Sequence, residues 1–289
     1  MLLAILLAGM VLPAAQAEQT LLHSEHSLYR QVLVYEDAGT RCLCFTKRCA
    51  IGRQSCQVVA KPDQLVFEYT RMVLGALLMG PEPRRILIVG LGGGTLPRAL
   101  SRLLPDAQID SVEIDAAVTR VARDYFGFRP DQKRRVFEED ARLFIKRMGR
   151  EGQRYDLIIL DAYDNEYIPE HLLTQEFLVE ARALLAPGGV LAANTFSSSR
   201  LYDNESVTYH AVFGDFYNLK SGNRVILVRQ GGLPAQPVLV SNAQRWRVPL
   251  ASLGVDVDQL LPLFGTQPDW DARARVLTDQ YSPANLLNR

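Results

Sequence analysis

From Arg85 onward the chain alternates two patterns: short apolar runs bounded by glycine or acid, and longer stretches with apolar residues three and four apart. The first reads as buried strand and the second as amphipathic helix. The spacing predicts strands at 85–90, 108–114, 134–138, 155–161 and 188–194. Helices are expected near 96–104, 115–126, 140–148, 171–185 and 200–213. Strands separated by helices imply right-handed crossovers and a parallel sheet. Two further runs, 215–219 and 224–229, are joined by Lys220-Ser-Gly-Asn223 and read as an antiparallel hairpin on the sheet edge.

Upstream the pattern changes. Residues 27–35, 41–46 and 55–60 alternate in strand fashion, which predicts a small antiparallel region of hairpins. Pro62 opens a helix expected to run to about 78, with Leu65, Tyr69, Met72, Val73 and Leu77 on its apolar stripe. Residues 231–250 carry Pro and Gly and are expected to wrap the surface, followed by a short helix near 256–264. The fold class is therefore α/β: a Rossmann-like sheet of the class I methyltransferase type, preceded by a small antiparallel β region. The expected divisions are a leader at 1–17, the β-hairpin region at 18–60, the Rossmann-like domain at 61–230 and a C-terminal extension at 231–289.

Composition adds bounds. The chain has 289 residues, 48% hydrophobic and 22% charged, with a formal net charge of zero. It is long enough to bury a sizeable core, and with no basic excess nucleic acid is not an expected partner. The first fifteen residues are almost wholly apolar and Ala15-Gln16-Ala17 fits a small-residue cleavage site, yet no Lys or Arg precedes Arg30. This reads as a signal peptide or membrane-proximal anchor, implying export or membrane association. The alternatives are the end of a membrane helix or a misplaced start. All four cysteines fall between Cys42 and Cys56. Cys42 and Cys44 share a strand face, so each is expected to bond to Cys49 or Cys56 rather than to the other. A zinc site and unpaired core cysteines are the competing readings. The four histidines show no ligand spacing and are read as surface or core residues.

Candidate chemistry concentrates at the ends of the parallel strands, where open α/β sheets bind ligands. Ile86-Leu-Ile-Val-Gly-Leu-Gly-Gly-Gly-Thr95 is a strand running into a glycine elbow and a helix N-terminus. Gly90, Gly92, Gly93 and Gly94 let a nucleotide-type ligand approach bare backbone. The spacing is not the dinucleotide G-x-G-x-x-G, and no P-loop occurs. Acids follow at the next strand ends: Glu113 and Asp115, then Asp140, then Asp161. Asp115 and Asp140 could instead cap the helices they open. Asp161, directly after an apolar run, demands a partner or a purpose. The following stretch through Asp164, Glu166 and Glu170 makes a negative rim suited to a cation, or simply a solvated loop.

These residues resemble the spermidine synthases, the polyamine aminopropyltransferases, and most closely their bacterial synthase-like branch. The resemblance covers roughly residues 27–230. Its carriers are Leu87-Ile-Val-Gly-Leu-Gly-Gly-Gly with Arg98, Val112-Glu-Ile-Asp115, Glu139-Asp-Ala141, Leu160-Asp-Ala-Tyr-Asp164 and Leu185-Ala-Pro-Gly-Gly189. Ser27-Leu-Tyr29 and Gln54-Ser55 are similar to the family's N-terminal region, and Leu277-Thr-Asp-Gln-Tyr-Ser-Pro283 to the tail of the synthase-like branch. The resemblance implies a Glu113 that binds the ribose diol, an Asp140 that accepts from the adenine amino group beside Ala141, an Asp161 that orients and deprotonates the attacking amine, and an Asp164 that helps hold it. It implies decarboxylated S-adenosylmethionine, or S-adenosylmethionine, as co-substrate, a polyamine or other small amine as acceptor, no metal, a cytoplasmic setting and a homodimer. Gly93 stands where the family carries an acid, and Asp63-Gln-Leu-Val-Phe-Glu-Tyr69 replaces the family's D-E-x-x-Y-H-E. The nucleoside half is thus kept and the amine half altered. Two other functions fit the residues: a methyltransferase-type enzyme on another small acceptor, favoured by Gly93, and a non-catalytic nucleoside-binding protein, favoured by export.

Overall fold

A computed structural model describes residues 19–49, 52–162 and 169–283. The expected leader, and with it the cleavage site, lies outside these residues. So does Asp164.

The N-terminal region is a four-stranded antiparallel sheet in the order β1 (Thr20–His26), β2 (Gln31–Asp37), β3 (Thr40–Cys44) and β4 (Arg53–Val58). The sequence places a single strand over 27–35; the structure instead puts a turn there. The Ser27 hydroxyl accepts from the backbone N–H groups of Tyr29 and Arg30, both at 3.0 Å, so the chain reverses before β2 begins. β1 lies upstream of that turn and shows no apolar alternation, because neither of its faces is fully buried. Ala38 and Gly39, both at positive φ, form the two-residue turn between β2 and β3. Cys42 and Cys56 face each other across β3 and β4 and are bonded; Cys44 is bonded to Cys49. Neither bond joins Cys42 to Cys44, as their shared face requires.

The segment expected to be helical from Pro62 begins later. Arg71 donates to the Leu65 carbonyl at 2.8 and 3.2 Å, holding residues 62–67 as a turn, and α1 runs only over Glu68–Val73 before tightening into a 3₁₀ turn, Leu74–Leu78. The central domain follows as β5 (Arg85–Val89), α2 (Thr95–Leu103), β6 (Gln108–Glu113), α3 (Ala116–Phe126), β7 (Arg134–Glu138), α4 (Ala141–Arg150), β8 (Tyr155–Leu160), α5 (Gln175–Ala183), β9 (Leu185–Thr195), α6 (Tyr202–Phe213), β10 (Tyr217–Ser221) and β11 (Asn223–Arg229). These strands form one seven-stranded sheet in the order β10-β11-β9-β8-β5-β6-β7, parallel from β9 to β7 and antiparallel at the β10–β11 edge. The helix expected over 171–185 is divided: Glu170–Leu172 is a 3₁₀ turn, Thr174 caps α5, and β9 starts at Leu185.

Residues expected to wrap the surface hold a sixteen-residue helix, α7 (Gln236–Ala251), followed by α8 (Val257–Leu260). Its prolines hid it. Pro237 sits in the first turn, where no N–H partner is needed, and Pro249 falls in the last. Leu239, Ala243, Trp246 and Leu250 make the buried stripe. They pack with Ile86, Ile88, Ile109 and Ile159 on one face of the sheet, while Leu87, Val89, Ile158 and Leu160 face α4, α5 and α6 on the other. Both faces are covered, as a parallel sheet requires. The strand order reverses between β5 and β8, so the crevice opens at their carboxyl ends.

Candidate active site

A cleft of about 430 Å³ occupies that crevice, within the range of small-molecule sites. Tyr29, Phe45 and Ser55 of the N-terminal sheet close one side; Pro169, His171 and Leu172 close the other. The glycine elbow forms the floor. Gly90 has φ 96°, and a Cβ there would collide with the Asp161 carbonyl, so only glycine lets the ends of β5 and β8 approach. Gly90 and Gly92 line the cleft, whereas a Cβ at Gly93 would meet Phe126 and Ser55 and one at Gly94 would collide with Phe128. Gly94, at φ 71°, is the N-cap of α2.

The acids differ in how they are held. Glu113, at the end of β6, accepts from the backbone N–H of Leu91 and of Asp115, each at 3.0 Å. Burial raises its pKa, while those two N–H groups pull it back down. Asp115 is buried and spends both oxygens on the fold: one caps α3 through Ala117 N–H at 2.9 Å, the other accepts from the Ser27 hydroxyl at 2.6 Å. Asp140 combines the two roles considered for it. One oxygen caps α4 through Leu143 N–H at 3.0 Å, and the other meets His171 Nε2 at 2.8 Å on the cleft wall. Ala141 lies beside it as the first residue of α4.

Asp161 stands across the elbow from Glu113, immediately after β8. Its Oδ1 accepts from Asn194 Nδ2 at 2.9 Å and its Oδ2 from the Tyr69 hydroxyl at 3.2 Å. Burial pushes its pKa up to about 7 against the opposing pull of these two bonds. Burial, with the adjacent Asp161, raises the Tyr69 hydroxyl well above the usual phenol range. Asn194 is itself steadied by Asn223 at 3.3 Å. Neither Tyr69 nor Asn194 is singled out by the sequence patterns. Tyr69 reads as part of an apolar stripe, and Asn194 as the end of an apolar strand. The available signal was position: Asn194, like Asp161, is a polar residue at a carboxyl end of this sheet.

The site therefore sets a buried carboxylate, poised near neutrality, beside a glycine floor and two further acids fit to accept hydroxyl and amino groups. A model of the spermine/spermidine synthase domain matches residues 66–219. A polyamine aminopropyltransferase of Vibrio vulnificus is 47% identical, over 99% of this chain and 97% of its own length. A probable spermidine synthase from Corynebacterium glutamicum has the same fold, with a TM-score of 0.65 at 21% identity over 87% of this chain and 97% of its own. The human methyltransferase-like protein 13, solved in complex with SAH, matches with a TM-score of 0.55 at 25% identity, covering 71% of this chain and 95% of its own.

Proposed function

The chain belongs to the spermine/spermidine synthase family and is a transferase of the aminopropyl type; we propose that its cleft joins the aminopropyl group of decarboxylated S-adenosylmethionine to a primary amine of a polyamine such as putrescine. Glu113 takes the ribose hydroxyls with the lone pairs its backbone donors leave free. Asp140, fixed by its cap and by His171, accepts from the adenine amino group. Gly90 and Gly92 let the nucleoside lie against the elbow, and the Asp115 backbone N–H braces Glu113. Asp164 shares the amine with Asp161 by family resemblance.

The chemistry follows from one mismatch. A primary amine with a pKa near 10 is a cation at neutral pH and cannot attack. Asp161, with a pKa of about 7, is ionised enough to bind that cation and basic enough to accept its proton. As the nitrogen lone pair forms the new N–C bond, the carbon–sulfur bond breaks and its electron pair returns to sulfur, leaving a neutral thioether. The proton passes to Asp161 and then to water. No oxyanion develops, so in-line positioning supplies much of the acceleration.

The observation that carries this reading is the placement of Asp161 over the Gly90 floor, held by Tyr69 and Asn194. One observation favours a second reading, methyl transfer: Gly93 stands where the family carries an acid, and a Cβ there would lie 3.1 Å from both Phe126 and Ser55, so an acid would need these side chains to give by a few tenths of an ångström. Incubating the protein with putrescine and either donor, with products read by mass spectrometry, separates the two. Spermidine from the decarboxylated donor is expected; a methylated amine from S-adenosylmethionine alone would replace the first reading with the second.

A further inference from the structure

The segment Leu277–Pro283 resembles the tail of the synthase-like branch, yet it lies beyond the matched family domain, and among the described residues none after Leu172 lines the cleft. Its contacts nevertheless converge on the cleft wall. Leu277 is fully buried with Leu173 and Leu201, and its carbonyl accepts from Gln175 N–H at 2.8 Å. Asp279 receives the Thr174 hydroxyl at 2.7 Å, while its own N–H reaches Glu176 at 3.0 Å. Ser282 donates to the Glu170 carbonyl at 3.1 Å. The tail thus grips both ends of the short stretch that presents His171 and Leu172 to the cleft.

Arg142 is the hub of this arrangement. It sits two residues beyond Asp140 on α4 and is nearly buried. Its guanidinium makes a two-pronged contact with Asp279 at 2.7 and 2.8 Å, another with Glu180 at 2.9 and 3.1 Å, and a longer bond to the His171 carbonyl at 3.4 Å. Fork-to-carboxylate pairs fix geometry as well as charge, which a lysine cannot reproduce. The Arg142 bond holds the Asp279 carboxyl below the usual range. Through these contacts the tail, α4 and α5 are locked together around one pair, Asp140 Oδ2 and His171 Nε2.

We propose that Asp279 and Arg142 are positioning residues for the nucleoside: the C-terminal segment sets the spacing of Asp140 and His171 and so tunes donor affinity without touching the donor. This rests on reading the cleft as a nucleoside site. In the full chain, Asp279→Asn and Arg142→Lys are expected to weaken methylthioadenosine binding, measured by calorimetry, by about tenfold. Donor KM should rise in step, with kcat and acceptor KM within about twofold. His171→Ala should reproduce the loss, and Asp279→Asn added to it should cost no more than about twofold further, as coupled residues do. Asp279 is half-exposed, so Asp279→Asn carries the test should Arg142→Lys fail to fold. Unchanged nucleoside affinity in Asp279→Asn, a fall in kcat at constant donor KM, or full additivity with His171→Ala would overturn the inference alone. A wild-type protein that binds no nucleoside would overturn the functional reading beneath it.

Discussion

The two halves of the cleft hold their acids in opposite ways. In the nucleoside half, the main chain holds both oxygens of Glu113 and one oxygen of Asp140, whose other oxygen meets the His171 side chain. In the amine half, the bonds to the Asp161 carboxylate among the described residues come from the side chains of Tyr69 and Asn194. Backbone donors cannot be changed by substitution and make a permanent recognition surface. Side-chain donors leave a carboxylate whose basicity is set by two replaceable residues and by burial. A binding acid needs permanence, whereas a base must sit near the pH at which it works.

The largest break in that contrast is Asp161→Asn. Turnover should fall by about 10³-fold, the middle of the range for a lost general base, with methylthioadenosine affinity within about twofold. The mirror experiment is Glu113→Gln, where calorimetry should show nucleoside binding weakened by about ten- to a hundredfold, as for a lost charged hydrogen-bond partner. Its pH–rate profile should keep its shape. If both variants lose turnover and affinity together, the halves are not separate.

Asn194→Ala and Tyr69→Phe sharpen the comparison. Each removes a donor that lowers the Asp161 pKa, so the acid limb of kcat/KM should move to higher pH. Activity should fall several-fold at pH 7 and recover at pH 9. A loss that is equal at both pH values would make these residues structural.

The smallest effect is on stability. The Asp161 pKa is about 7 in the folded protein and near its ordinary 3.8 when unfolded, so the folded state holds the proton more tightly. That contribution is complete below about pH 4 and is lost as pH rises through 7. Asp161→Asn should therefore gain steadily on the wild type as pH rises through that window, read by chemical denaturation at pH 5 and pH 8.

Much of this was legible in the chain. The acids at strand ends, the glycine elbow and the edge hairpin follow from local pattern, because a parallel sheet forces its ligand to the carboxyl ends of its strands. The role of Asp115 was left open between cap and ligand; its carboxylate caps α3 and accepts from Ser27 on the cleft wall. What local pattern could not supply were contacts made across long sequence separation. Tyr69 meets Asp161 from a helix that sequence periodicity reads as pure core, and Asp279 reaches Arg142 from the far end of the chain. Helix α7 was obscured for a different reason: Pro237 sits in its first turn, which tolerates proline, and Pro249 near its end gives up one intrahelical bond that the buried stripe offsets.

The central claim is that the Asp161 carboxylate takes the proton of the attacking amine. The pH dependence of kcat/KM for aminopropyl transfer, compared between the wild type and Asp161→Asn, tests it most directly. The account predicts a wild-type rate that climbs with pH to a break near 7, and a residual rate in the variant with no such break. The same break persisting in Asp161→Asn would assign the proton to another group.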